Sequence, residues 1–139
     1  NSMLSFFIIM ERYCIDIDVY FTGVIILVGT LDEIYKEAEK YTEDNQLKER
    51  FKEQLGNACG LTSRGCVVDN KYLICLELDN ISAKDRDLGG VLVHEFYHLV
   101  ENILTTRGIS TSGEPGAHLI GYLYEQAEKL GVMKKIIET

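Results

Sequence analysis

From Ile15 to Phe21 apolar and polar residues alternate, placing Ile15, Ile17, Val19 and Phe21 on one face. A period of two is that of a half-buried β-strand. Asp16 and Asp18 fall on the other face, where the alternation makes them solvated residues and not a metal pair. Thr22-Gly23 marks a turn, and the unbroken apolar run Val24 to Val28 predicts a hairpin partner. Thr30-Leu31-Asp32-Glu33 has the T-x-x-E form of a capping box, so it opens a helix with Leu31, Ile34, Tyr35, Ala38 and Tyr41 on its inner stripe. Glu43 to Gln54 is charged at most positions, with Leu47, Phe51 and Leu55 four apart; this predicts a second amphipathic helix closed by Gly56.

Gly56 to Gly65 reads as a loop of Gly, Asn, Ser and Thr, without the glycine order of a phosphate cradle. Cys66 to Val68, Asp69-Asn70 and Lys71 to Leu78 predict a hairpin with a tight turn. Tyr72, Ile74, Leu76 and Leu78 share one face of the second strand, and Leu73, Cys75 and Glu77 the other. Apolar residues on both faces imply a strand covered on both sides. Asp79 to Asp87 is a polar connection with Ser82, Asp85 and Asp87 as candidate N-caps. A long helix then runs to about Thr106, with Gly89-Gly90 in its first turns, where glycine lowers helix propensity and permits a close neighbour. Past Arg107-Gly108, Ser112 is the expected N-cap of a further helix that carries Pro115 in its first turn. Its core stripe is read as Ala117, Ile120, Tyr124 and Ala127, its end as Gly131, and Val132 to Glu138 as a short tail helix. The order predicts an α+β domain over residues 3–139, a small antiparallel sheet packed against the long helix and the one after it.

Composition narrows the function. The chain has 139 residues, 46% of them apolar, enough for a single core. A formal net charge of −8 argues against nucleic acid and anionic membranes as partners. The apolar run Met3 to Met10 is too short to span a bilayer and lacks the basic leader and cleavage site of a secretory signal. Cys14, Cys59, Cys66 and Cys75 form no C-x-x-C pair. Their even number permits disulfides, but free thiols in a reducing cytoplasm are the expectation, with Cys59 and Cys66 as an alternative metal pair. Oligomeric state does not follow from the pattern.

The chemistry concentrates in Val91 to Val100, where Glu95 is the one charged residue. His94 and His98 stand four apart, one helical turn over the other, so both imidazoles reach one metal ion. Zinc on neutral imidazoles brings the pKa of its water to about 7, and Glu95, next to His94, is the candidate general base. A catalytic zinc takes a third protein ligand. Glu114, sixteen residues past His98 at the expected start of the next helix, offers one, with His118 as its competitor.

With this H-E-x-x-H stretch and the downstream glutamate, the chain resembles the gluzincin clan of zincin metallopeptidases. Over Val91 to Leu123 it is similar to small phage- and prophage-type zinc peptidases, departing at Pro115-Gly116, where that pattern carries helix-friendly small residues. The resemblance implies a minimal zincin core and a zinc metallopeptidase acting on peptides or proteins. It also implies His94, His98 and Glu114 on the metal with Glu95 as base; His118, one turn past Glu114 on the same face, then becomes a partner beside the shell or a donor to the substrate oxyanion. A further implication is an edge strand that pairs with an extended substrate, for which Lys71 to Leu78 is the candidate. The alternative function is a zinc-bearing domain that binds a protein partner without cleaving it.

Overall fold

A computed structural model describes residues 10–41 and 45–132. The apolar run as far as Ile9, residues Glu43 and Asp44 of the expected second helix, and nearly all of the expected tail helix lie outside the described residues.

Strand β1 (Glu11–Ile17) pairs antiparallel with β2 (Thr22–Gly29), Glu11 opposite Val28 and Ile17 opposite Thr22. The expected hairpin is present but displaced toward the N-terminus. Asp18–Tyr20 close a 3-10 turn in which the Phe21 N–H donates to the Asp18 carbonyl at 3.0 Å. This ends the alternation at Ile17 and leaves Val19 and Phe21 exposed instead of buried. Thr22-Gly23 belong to β2, and a Cβ on Gly23 would stand 2.8 Å from the Ile15 carbonyl oxygen.

The unbroken apolar run of β2 is explained by cover on both faces. Val24, Ile26 and Val28 face one core, and Ile25 and Leu27 the other. Strand β4 (Lys71–Glu77) divides in the same way, Tyr72, Ile74 and Leu76 against Leu73 and Cys75, as its sequence predicted. Helices α1 (Leu31–Ala38) and α2 (Asn45–Leu55) cover the second face through Ile34 and Leu55. The capping box forms: the Glu33 carboxylate accepts the Thr30 backbone N–H at 3.0 Å.

The tight turn before β4 is also present, with Asp69 and Asn70 at φ 48° and 60°, the mirror-image turn that suits the twist of a hairpin. The sheet, however, is mixed and not antiparallel. Its order is β1-β2-β4-β3, with β4 parallel to β2 and antiparallel to β3 (Gly60–Thr62), a strand formed within the expected loop. The chain leaves β2, crosses one face through α1 and α2, enters β3 at the far end of the sheet running opposite to β2, and reverses through the hairpin into β4, which therefore lies parallel to β2.

Helices α3 (Leu78–Ala83), α4 (Leu88–Thr105) and α5 (Glu114–Leu130) cover the other face. Among the described residues the fold is α+β, with a four-stranded mixed sheet and five α-helices. Helix α3 replaces most of the expected polar connection, because the Glu77 carboxylate accepts the Asn80 N–H at 2.7 Å and Ile81 is buried. Asp87 caps α4 by accepting the Gly90 N–H at 3.1 Å. At Gly90 an added Cβ would meet only the Asp87 carboxylate, at 3.8 Å, so no neighbour makes use of the missing side chain.

Gly113, not Ser112, is the N-cap of α5, and the Ser112 hydroxyl lies 2.9 Å from that of Ser110. The buried stripe is Gly116, Leu119, Leu123 and Ala127, one position away from the one expected at Ala117, Ile120 and Tyr124. Gly116 sets this rotation, since its Cβ would stand 2.4 Å from the Thr111 carbonyl oxygen. The helix ends as expected, with Gly131 at φ 77°.

Candidate functional site

Helix α4 buries Leu88, Val91, Leu92, Glu95, Phe96, Leu99, Val100, Ile103 and Leu104, a stripe wide enough to hold it against both the sheet and α5. His94 and His98 stand on its exposed face. Their Nε2 atoms are 3.2 Å apart, with the ring planes at 80°. In a tetrahedral shell with zinc–nitrogen distances of about 2.0–2.1 Å, two ligand nitrogens stand ~3.3–3.4 Å apart. The pair therefore fits one edge of such a shell, and without a metal the same spacing suits an N–H···N hydrogen bond. The Tyr97 ring lies edge-on to His98 at 5.9 Å, and the Asn102 amide donates to the His98 carbonyl at 3.1 Å.

Glu95 is buried, 6% exposed, with its carboxylate against the end strand of the sheet. The Thr62 hydroxyl lies 2.8 Å from Glu95 Oε1 and 3.1 Å from the Glu95 carbonyl oxygen. Gly60, two residues earlier on β3, presents a bare Cα; a Cβ there would stand 2.9 Å from Glu95 Cγ and 3.0 Å from Oε2. Sequence reading missed both residues, because they lie in a polar, glycine-containing stretch with no periodic signal. On β4, burial pushes the Cys75 thiol well above the usual range, and the charge of Glu95 adds to the effect, so this cysteine stays protonated.

Glu114 and His118 are placed differently. They pair with each other across one turn of α5, His118 Nε2 to Glu114 Oε2 at 3.1 Å, and both are exposed. Together with Asp18, Tyr20, Leu119 and Tyr122 they line a groove of about 730 Å³ beside the 3-10 turn. Among the described residues, no three His, Cys, Asp or Glu side chains stand close enough together to hold a metal. The His94–His98 spacing thus matches one edge of a zinc shell, while Glu114 is paired with His118 on α5.

The expectation of a free edge on Lys71 to Leu78 is overturned. β2 pairs with one side of β4 along its length, and β3 takes the other, extended by the Ser63 N–H to the Leu73 carbonyl and the Glu77 N–H to the Cys59 carbonyl, each at 2.8 Å. Strand β3, at one end of the sheet among the described residues, lies beside α4.

All four cysteines are free, and Cys66 lies near Thr22 and Asn70. Among the described residues no helix is long and apolar enough to cross a membrane. No family model, no curated protein and no solved structure matches the chain. The functional reading therefore rests on the residues and their arrangement.

Proposed function

We propose that the protein is a zinc-dependent metallopeptidase, and that α4 carries its centre. The observation behind this reading is the convergence of His94 and His98 Nε2 at 3.2 Å on an exposed helix face, with an anchored carboxylate at the intervening Glu95. His94 and His98 would hold the ion, and Glu114 is the proposed third donor, which must leave His118 to serve. Zinc, when bound, supplies Lewis-acid polarisation of the scissile carbonyl and acidifies water at neutral pH. Glu95 would accept the proton of the attacking water and pass it to the departing amine. The outer edge of β3 offers backbone donors and acceptors to an extended peptide.

A metal assay with an unbiased peptide digest, run with and without chelator, tests this. Wild-type protein should bind one zinc and cleave; Glu95→Gln should keep the metal and lose about 10²–10⁴-fold in rate. His94→Ala should lose both. Peptide cleavage by Glu95→Gln at the wild-type rate would sink the mechanism. Metal affinity unchanged in Glu114→Gln would remove Glu114 from the shell.

A second reading, a zinc-bearing domain that binds a protein without cleaving it, draws on the groove beside α5 and on exposed Val19 and Phe21 next to it. Zinc binding without chelator-sensitive cleavage of any peptide would favour it.

A further inference from the structure

Strand β3 is only three residues long, yet two of those three residues touch Glu95. Side chains two apart on a strand share a face, so Gly60 and Thr62 look toward α4 together while Leu61 packs among the residues of the opposite core. The contacts are complementary. Thr62 supplies a donor to one carboxylate oxygen, and Gly60 supplies the space that the Cγ and the other oxygen occupy.

Neither contact is needed to hold the helix. Asp87 caps it, and Phe96, Leu99, Val100 and Ile103 anchor it in the core. Nor is a carboxylate a favourable residue to bury for packing, since a nearly enclosed charge needs a donor to offset its desolvation. Leu92, Phe96 and Leu99 fill neighbouring positions of the same buried stripe with apolar side chains. An acid in that stripe, fitted with its own donor and its own gap, is what a reaction requiring a fixed carboxylate would select.

We infer that the Gly60-Leu61-Thr62 segment of β3 is a positioning slot for the carboxylate of Glu95, with Thr62 as the positioning residue and Gly60 as the clearance that admits it. The inference rests on the hydrolase reading and adds to it a second element of the fold. Thr62 engages Oε1, so on the hydrolase reading Oε2 would be the oxygen that exchanges a proton with the attacking water and the leaving amine. Freed from the slot, the side chain regains rotamers in which neither oxygen faces the reacting atoms, and a catalytic group so misplaced loses rate and not substrate affinity.

The test compares Thr62→Val, Thr62→Ser and Gly60→Ala in the zinc-loaded full chain, reading kcat and KM for chelator-sensitive cleavage of a quenched peptide alongside zinc stoichiometry and thermal unfolding. Thr62→Val, which keeps shape and removes the donor, should lower kcat on the order of 10- to 100-fold. KM should stay within about threefold and the metal content should be unchanged. Thr62→Ser should restore most of the rate, and Gly60→Ala should lose it as Thr62→Val does. Should the valine prevent folding, Thr62→Ala gives the same readout. Wild-type kcat in Thr62→Val, an equal loss in Thr62→Ser, or a loss confined to KM each overturns the inference while leaving the hydrolase reading standing. No cleavage by the wild-type protein overturns that reading, and the slot's catalytic role with it.

Discussion

Glu77 is the residue whose burial has the clearest consequence for stability. It is 2% exposed, and its Oε2 has no hydrogen-bond partner. Burial raises its pKa from the ordinary carboxylate value, against the lowering effect of the Asn80 N–H, and Asp79 raises it further. A carboxyl group with a raised folded pKa binds its proton more tightly in the native state than in the unfolded chain. Its contribution is therefore fully present below the unfolded value and is lost as pH rises through the folded one. Urea denaturation of wild type and Glu77→Gln at steps between about pH 4 and 7 should show wild type losing stability relative to the variant as pH rises. A parallel pair of curves would show that Glu77 has no raised pKa. Single residues were legible in the sequence where their partner is close in the chain. His94 with His98 and Thr30 with Glu33 are spaced by the helix itself. Thr62 with Glu95 was not, because a long-range contact leaves no periodic trace; Glu77 is three residues from its partner Asn80, but its place at the end of an alternating strand hid the cap.

At the scale of elements, two glycines make opposite predictions. Gly90 lies in the first turn of α4 with open space around it, whereas Gly116 lets the Thr111 carbonyl press against α5. Gly90→Ala should stabilise by about 0.5–1 kcal/mol through helix propensity. Gly116→Ala should destabilise by about 1–3 kcal/mol, since the obstacle is backbone and not a mobile side chain. Thermal unfolding of both variants checks the pair, and equal shifts of one sign would refute the account. The same glycine explains why the buried stripe of α5 was read one position off. Pattern alone favours the larger apolar residues Ile120 and Tyr124, but the backbone contact at Gly116 fixes the rotation. Helix α3 escaped because six residues, half of them polar, are too short to show a period; β3, at three residues, is shorter still.

For the whole molecule, cover on both faces of the sheet makes neighbouring residues equally costly to truncate. Ile25 and Ile26 are each about 1% exposed or less, and they belong to opposite cores. Ile25→Ala and Ile26→Ala should each lose about 2–5 kcal/mol in denaturant unfolding. A near-neutral result for either would mean that one face is open to solvent. This two-sided burial was legible in the apolar residues on both faces of β4, whereas the unbroken run of β2 was read only as a hairpin partner. The parallel pairing between those strands was not, because strand direction depends on the end of the sheet at which the chain re-enters, here set by β3, and no local pattern encodes that.

The parallel pairing also orders events during folding. The β1–β2 hairpin and the His94–His98 pair are made of contacts local in the chain and can form at once. Gly23 meets Lys71, and Thr62 meets Glu95, only after long loops close, and such closures slow folding. A nascent chain would present both imidazoles before the carboxylate is seated, so capture of a metal ion can precede competence. If the protein is the zinc metallopeptidase proposed above, zinc uptake and peptide cleavage should recover at different rates after dilution from denaturant, uptake first.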